Sequence, residues 1–215
     1  MALMDLTIKD ISKSFNRKPI LQKLSLKIEA GKTIGVIGDN GSGKTTLLKI
    51  IAGLIWPEGG EGYLGETPIF TTDSKIRKNL IYWGHHTDLY PNMTAYENMN
   101  LFLNLRGDFQ KNKKIILTLN SVGLDDSNKL LGEYSEGMIQ RYHIARFKLS
   151  SWKIGILDEP TNALDFIGLE ILNQSTIEFQ KKNKSLLISS HNFEYIETHC
   201  NLIYKLEKGQ LEEYL

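Results

Sequence analysis

Nine consecutive residues constrain this chain more than any others. Gly38-Asp39-Asn40-Gly41-Ser42-Gly43-Lys44-Thr45-Thr46 satisfies the pattern G-x-x-x-x-G-K-[ST]. The run before it, Thr33-Ile34-Gly35-Val36-Ile37, is apolar and β-branched and reads as a buried strand. The run after it, Thr45 to Leu54, opens like a helix. A strand, a glycine-rich loop and a helix in that order let successive backbone N–H groups converge on phosphate oxygens, with the positive end of the helix behind them. Lys44 adds a point charge for the β- and γ-phosphates, and the Thr45 hydroxyl is of the right kind to ligate Mg²⁺. The loop therefore predicts a nucleoside triphosphate ligand.

Charge and composition exclude several other functions. The 215 residues carry 26 Lys and Arg against 25 Asp and Glu, a net charge of +1, which gives no electrostatic case for nucleic acid. The basic runs Lys111–Lys114 and Lys181–Lys184 read as solvated helix faces or ends. One cysteine, Cys200, rules out an internal disulfide and fits a reducing compartment; its apolar setting marks it as a core residue rather than a nucleophile. Residues 1–10 lack the basic and apolar regions of a signal peptide. No uncharged apolar stretch is long enough to span a bilayer, so membrane work would need a second chain to supply the spanning part.

Residues 5–15 and 24–29 read as strands that form an antiparallel β edge ahead of the glycine loop. Residues 56–60 read as a turn and Leu80–Trp83 as a strand. Thr94, followed by Glu97, has capping-box spacing and starts a helical stretch that continues with a second helix over 113–122. In residues 135–150 the apolar positions Met138, Tyr142, Ala145 and Leu149 lie three or four apart, which predicts a helix with one buried face. Beyond it strand and helix alternate: strands over 153–158, 185–189 and 202–206, helices over 169–180 and 193–198. The predicted architecture is an α/β core over 1–87 and 152–215, with a mixed sheet, interrupted by an α-helical subdomain over about 88–151.

Four further elements follow the loop in a fixed order. Ile154-Gly155-Ile156-Leu157-Asp158-Glu159 is an apolar strand ending in two acids. Beside the glycine loop, Asp158 can hold Mg²⁺ through its water shell and Glu159 can polarise an attacking water as general base. Tyr134-Ser135-Glu136-Gly137-Met138 opens the helix that precedes this strand, and Pro160-Thr161-Asn162-Ala163-Leu164-Asp165 follows the acids directly. Leu187-Ile188-Ser189-Ser190-His191 ends the next strand with a histidine.

This constellation resembles the ATP-binding cassette (ABC) family of P-loop NTPases over essentially the whole chain. The resemblance implies that Lys44, Asp158 and Glu159 bind and hydrolyse ATP with Mg²⁺ and that His191 contacts the γ-phosphate. It also implies that Ser135, Glu136 and Gly137 form a signature loop completing the site of a second copy, in a head-to-tail homodimer with ATP sandwiched between the subunits. Asp165 would lie in the loop that communicates between the two sites. Phe15 falls where the family carries an aromatic that stacks on adenine, and its other reading is a core strand residue. A transmembrane transporter subunit is the implied partner, which would place the chain in the cytoplasm, peripheral on the inner face of the cell membrane.

Two segments depart from the commonest family pattern. The signature has Tyr134, Glu136 and Met138 where Leu, Gly and Gln are usual, while Ser135 and Gly137 are intact. The acid at Glu136 must point away from the γ-phosphate or weaken the closed dimer. His86 stands where the family has a Gln that touches Mg²⁺ and meets the transmembrane partner. Gly84-His85-His86, with the segment Leu89 to Asn98, resembles the small ATP-binding subunits of cytochrome c maturation (heme exporter) transporters; drug, lipid and polysaccharide exporter cassettes share several of these features. Free-standing ABC ATPases acting on ribosomes or DNA usually carry two cassettes or long coiled coils, which this chain lacks.

Overall fold

The computed structural model describes residues 4–72, 74–84 and 89–214. In chain order the elements are β1 (Leu6–Phe15), β2 (Lys18–Ile28), β3 (Thr33–Ile37), α1 (Lys44–Ile51), β4 (Gly59–Leu64), β5 (Thr67–Pro68), α2 (Ser74–Arg77), β6 (Leu80–Trp83), α3 (Ala95–Arg106), α4 (Asn112–Ser121), α5 (Glu136–Leu149), β7 (Ile154–Asp158), α6 (Phe166–Lys181), β8 (Ser185–Ser189), α7 (Phe193–His199), β9 (Leu202–Glu207) and β10 (Gln210–Glu213). A short 3₁₀ turn, Leu131–Glu133, precedes α5. Two compact units result: residues 1–84, 152–160 and 179–215 form the first, residues 85–151 and 161–178 the second.

The first unit holds two sheets. The antiparallel sheet runs β2-β1-β4-β5, and the larger sheet runs β10-β9-β3-β8-β7-β6. In the larger one β3 pairs in parallel with β8 and β9, and β7 pairs in parallel with β8 and β6, while β10 closes the edge as an antiparallel hairpin with β9. Every residue of β7 and β8 is buried, which is why both read as continuous apolar runs rather than alternating ones. Leu6, Ile8 and Ile28 of the antiparallel sheet, Val36 and Ile156 of the parallel one, and Leu47 and Ile50 of α1 share one hydrophobic core.

The hairpin β1–β2 is longer than expected, because β2 begins at Lys18 rather than near Leu24. Asn16 and Arg17 both have positive φ, 50° and 64°, the geometry of a tight two-residue hairpin turn, reached here without the usual glycine. Pro19 is tolerated because β2 is an edge strand. The segment read as a turn at 56–60 already enters β4 at Gly59, where the two glycines hide the strand. The hairpin strand β10 was not visible either: its sequence Gln-Leu-Glu-Glu is mostly exposed and shows no apolar alternation.

In the second unit α3 begins as expected. The Thr94 hydroxyl accepts from the Glu97 N–H, and the Glu97 carboxylate accepts from the Thr94 N–H at 2.8 Å. The Thr94 N–H first, and then the Thr94 hydroxyl donating to the same carboxylate at 2.9 Å, hold the Glu97 carboxyl below its ordinary value. Helix α5 differs from the expectation of one buried face. Gln140, Tyr142, His143, Ile144, Ala145, Arg146, Phe147 and Leu149 are all buried, so from Gln140 onward the helix is enclosed around its circumference. Polar residues at buried positions had masked this; Arg146, for one, lays its guanidinium 3.7 Å from the Phe102 ring centre. Helix α6 begins at Phe166, three residues ahead of the expected start, because Asp165 caps it by accepting from the Gly168 N–H at 2.7 Å.

Two outcomes follow. Thr94→Ala removes the capping box and is expected to lower stability by about 1 kcal/mol in a urea titration. Burial pushes the Cys200 thiol up to about 12, so the native protein is thiol rather than thiolate at pH 8. A disulfide reagent is then expected to modify Cys200 at least about a hundredfold faster in urea than in buffer, with comparable rates arguing against the enclosed position.

Candidate functional site

The site of the first unit is built on the loop between β3 and α1. Gly38 has φ 150°, and a Cβ there would collide with the carbonyl oxygen of Leu206. Gly43 has φ 110° and caps α1 without a side chain; a Cβ there would meet Ile20. Only glycine fits either position. Since the first intrahelical bond is Leu47 N–H to Gly43 O, the N–H groups of Lys44, Thr45 and Thr46 have no acceptor within the helix. The buried Ser42 hydroxyl oxygen also has no hydrogen-bond partner among the described residues. Free donors at the positive end of a helix form an anion site, and the residues present fit the phosphates of a nucleotide. Lys44 is buried and spans the loop, donating to Gly38 O at 2.7 Å and Asp39 O at 3.2 Å. Asp39, Asn40, Gly41 and Thr45 lie exposed on the loop, with Thr46 half-buried behind them.

Strands β7 and β8 leave the sheet beside this loop, β7 with the predicted acids at its end and β8 with the predicted histidine just beyond its own. Asp158 is 2% exposed and has one donor on each oxygen: Ser189 Oγ donates to Oδ1 at 2.7 Å and Tyr82 Oη donates to Oδ2 at 3.1 Å. Burial, and then the neighbouring Asp158 charge, raise the Tyr82 phenol far above its ordinary value, so it stays a donor. Glu159 takes φ 54°, left-handed for a non-glycine residue. Ser189 fixes that strained backbone by accepting the Glu159 N–H at its carbonyl, 3.0 Å, and at its hydroxyl, 3.1 Å. The two carboxylate oxygens of Glu159 then differ. Oε2 accepts the His191 N–H at 2.9 Å, whereas Oε1 lies 3.2 Å from His191 Nε2 and 3.9 Å from Lys44 Nζ. Neither contact is a hydrogen bond, so among the described residues Oε1 is a buried acceptor without a donor. His191 itself is 45% exposed at the side chain.

The structure thus gathers Lys44, Asp158, Glu159 and His191 around the glycine loop. Phe15 lies 44% exposed at the end of β1 with Lys13 Nζ 5.5 Å from its ring centre, which removes the core reading for it. His86 lies outside the described residues. Sequence reading missed Tyr82 and Ser189, the two hydroxyls that hold Asp158. The signal available was a polar residue on the same strand face as the acid, one on each neighbouring strand.

In the second unit Ser135 is the N-cap of α5, its hydroxyl accepting from the Met138 N–H at 3.3 Å. Ser135 and Glu136 are exposed, with Glu136 in the first turn, where an acid suits the helix dipole. Gly137 lies against the Ala163 carbonyl: a Cβ at 137 would sit 2.8 Å from that oxygen. A cavity of about 430 Å³ opens beside Glu136, lined also by Tyr134, Leu89, Pro91 and Ala163. Among the described residues no helix is long and apolar enough to cross a membrane, and no cluster of three metal-ligating His, Cys, Asp or Glu occurs.

Comparison with known proteins agrees with this geometry. The ABC transporter family model matches residues 21–162. A lantibiotic transport ATP-binding protein, SrtF of Streptococcus pyogenes, is 33% identical over 96% of this chain and 88% of its own length. The cytochrome c biogenesis ATP-binding export protein CcmA of Aliivibrio fischeri is 31% identical over 95% of this chain and 100% of its own. Among solved structures, the dimeric post-hydrolysis state of the cassette MJ0796 bound to ADP and Pi superposes with a TM-score of 0.87 at 26% identity, covering 97% of both chains. The chain belongs to the ABC transporter family. It is an ATP-binding, ATP-hydrolysing cassette.

The glycine loop offers a direct check. Gly38→Ala collides with fixed backbone, whereas Gly41 has open space around it and only its φ of 80° to strain. Gly38→Ala is expected to cost about 2–3 kcal/mol and Gly41→Ala about 1 kcal/mol, read from chemical denaturation without nucleotide. Equal losses would mean that the Leu206 contact is not limiting.

Proposed function

We propose that this cassette powers an exporter, working as a head-to-tail homodimer on the inner face of the cell membrane with a transmembrane subunit as partner. The observation that carries the chemistry is Oε1 of Glu159, a buried carboxylate oxygen that accepts no hydrogen bond and lies within ion-pair distance of Lys44 and His191. The loop Gly38–Thr46 holds the phosphates of ATP, Lys44 neutralises the β- and γ-phosphates, and exposed Phe15 stacks on adenine. Thr45 and Asp158 are the residues that would hold Mg²⁺, which when bound supplies charge for the phosphate oxygens. Glu159 Oε1 takes a proton from water as the water oxygen attacks the γ-phosphorus; the bond to the β-phosphate oxygen breaks, giving ADP and phosphate. His191, whose backbone N–H holds Oε2, keeps Oε1 facing the water and reaches the γ-phosphate with its ring. Ser135 and Gly137 of a second copy present the N-terminal end of α5 to the same phosphate, and Asp165 lies in the loop that links the two sites. In His86 this chain has an imidazole where relatives use Gln.

The dimer is supported by the dimeric solved cassettes, one of them holding ADP and Pi. For the cargo, the resemblance of Gly84-His85-His86 and the segment Leu89–Asn98 to cytochrome c maturation cassettes and the full-length match to CcmA support export of the heme type. A second reading, export of a peptide antibiotic, is favoured by SrtF and by the bacitracin transport protein BcrA of Bacillus licheniformis, 32% identical over 95% of this chain. Neither reading involves nucleic acid.

Three measurements test these readings. Glu159→Gln is expected to keep ATP binding while lowering turnover at least about a hundredfold, and Lys44→Ala to weaken binding itself. Sedimentation of Glu159→Gln with ATP should show a dimer that ATP removal dissolves; a monomer throughout would sink the composite site. Deleting the gene in its host should abolish covalent heme in c-type cytochromes if the cargo reading is right, whereas intact cytochromes with lost immunity to a peptide antibiotic would favour the second reading.

A further inference from the structure

Parallel pairing sets Tyr82 of β6 opposite Ile156 of β7, and the two-residue period of a strand puts Asp158 on the same face as Ile156. On the other side Ser189 of β8 pairs directly with Asp158. Each neighbouring strand therefore gives the carboxylate one hydroxyl: Ser189 Oγ to Oδ1 and Tyr82 Oη to Oδ2. Ser189 is shared, because its hydroxyl also accepts the Glu159 N–H. Tyr82 serves Asp158 alone among the described hydrogen bonds of its hydroxyl. One donor leaves a carboxylate free to turn about its last bond, and a second removes that freedom. Each oxygen still keeps a lone pair for a further ligand. Two residues on, Gly84 has no room for a side chain, since a Cβ there would collide with the Tyr82 hydroxyl and ring.

We propose that Tyr82 is a positioning residue for the divalent cation that accompanies the nucleotide, its hydroxyl locking the Asp158 carboxylate in the orientation that the cation requires, with Gly84 keeping the space which that hydroxyl occupies. This rests on Asp158 being a metal ligand, as argued under the proposed function. It adds a second role for β6 besides carrying the chain toward residue 86, and it explains why a phenol, rather than an aliphatic side chain, faces a buried acid in an otherwise apolar strand.

The test uses the full chain carrying Glu159→Gln, so that nucleotide is not consumed. Affinity for a fluorescent ATP analogue is measured in EDTA and in excess Mg²⁺, and the ratio of the two affinities reports the coupling between metal and nucleotide. Tyr82→Phe keeps the ring and is expected to lower that ratio about tenfold, the loss of one hydrogen bond to a charged group, while leaving the EDTA affinity near that of the parent; the urea midpoint falls as well, so the affinities are compared without denaturant, where the variant stays folded. Gly84→Ala should lower it similarly, and the double variant should fall no further than the lower single one, because both act through one hydroxyl. Asp158→Asn sets the scale. A ratio unchanged in Tyr82→Phe but collapsed in Asp158→Asn overturns the positioning role alone. An unchanged ratio in Asp158→Asn overturns the metal reading of that acid and this inference with it. Additive losses in the double variant would remove Gly84 from the device.

Discussion

Parallel pairing of β3 with β8 and of β8 with β7 brings three chain segments out of one sheet at the same edge. Val36 lies opposite Ser189, and Ser189 opposite Asp158. From that row the chain continues into the glycine loop, into His191 and into Glu159, which is how residues more than a hundred positions apart come within 4 Å. A slip of one residue in the register of β7 would turn Asp158 to the other face of the sheet and take it away from both hydroxyls. Because β7 and β8 are buried on both faces, such a slip would leave the Asp158 carboxylate buried without its hydroxyl partners, so the polar pairs and the apolar packing together hold the register.

That arrangement concentrates unfavourable terms in a small volume. Lys44, Asp158 and Glu159 are all charged groups withdrawn from water. Partial pairing offsets part of the desolvation, and removing one partner of such a pair commonly costs about 3–5 kcal/mol. Glu159 adds a left-handed backbone worth about 1–3 kcal/mol of strain. Ser189 answers both difficulties with a single residue: its hydroxyl satisfies Asp158, and its carbonyl and hydroxyl hold the Glu159 amide.

The parts of this design legible in the sequence were those with their own local signature. The glycine loop between a strand and a helix, the acids closing an apolar strand, and the capping box at Thr94 each state their structure within a few residues. What escaped reading depended on pairing across strands. Tyr82 looks like one more aromatic in a short strand until Asp158 is placed beside it, and Ser189 looks like ordinary strand-end punctuation. Glycines hid the start of β4, and exposed acids hid β10, because neither produces apolar alternation. The encirclement of α5 was disguised for a different reason: buried Gln140, His143 and Arg146 interrupt the period by which a buried face is recognised.

The contact between Gly137 and the Ala163 carbonyl bears on how variants of this family are interpreted. Ala163 already sits at φ 60°, so its carbonyl has little freedom to retreat, and Asp165, the cap of α6, is only two residues further along. A methyl group at 137 would thus be felt first as a push on that turn inside the same subunit. Lost activity in a Gly137 variant is the expected result even where no phosphate ever approaches the residue, and it carries no information about ligand contact. Ser135 is exposed and, among the described residues, its hydroxyl bonds only within its own helix, so a Ser135→Asn variant, which keeps the cap of α5, is the one whose loss of function speaks about what lies outside the subunit.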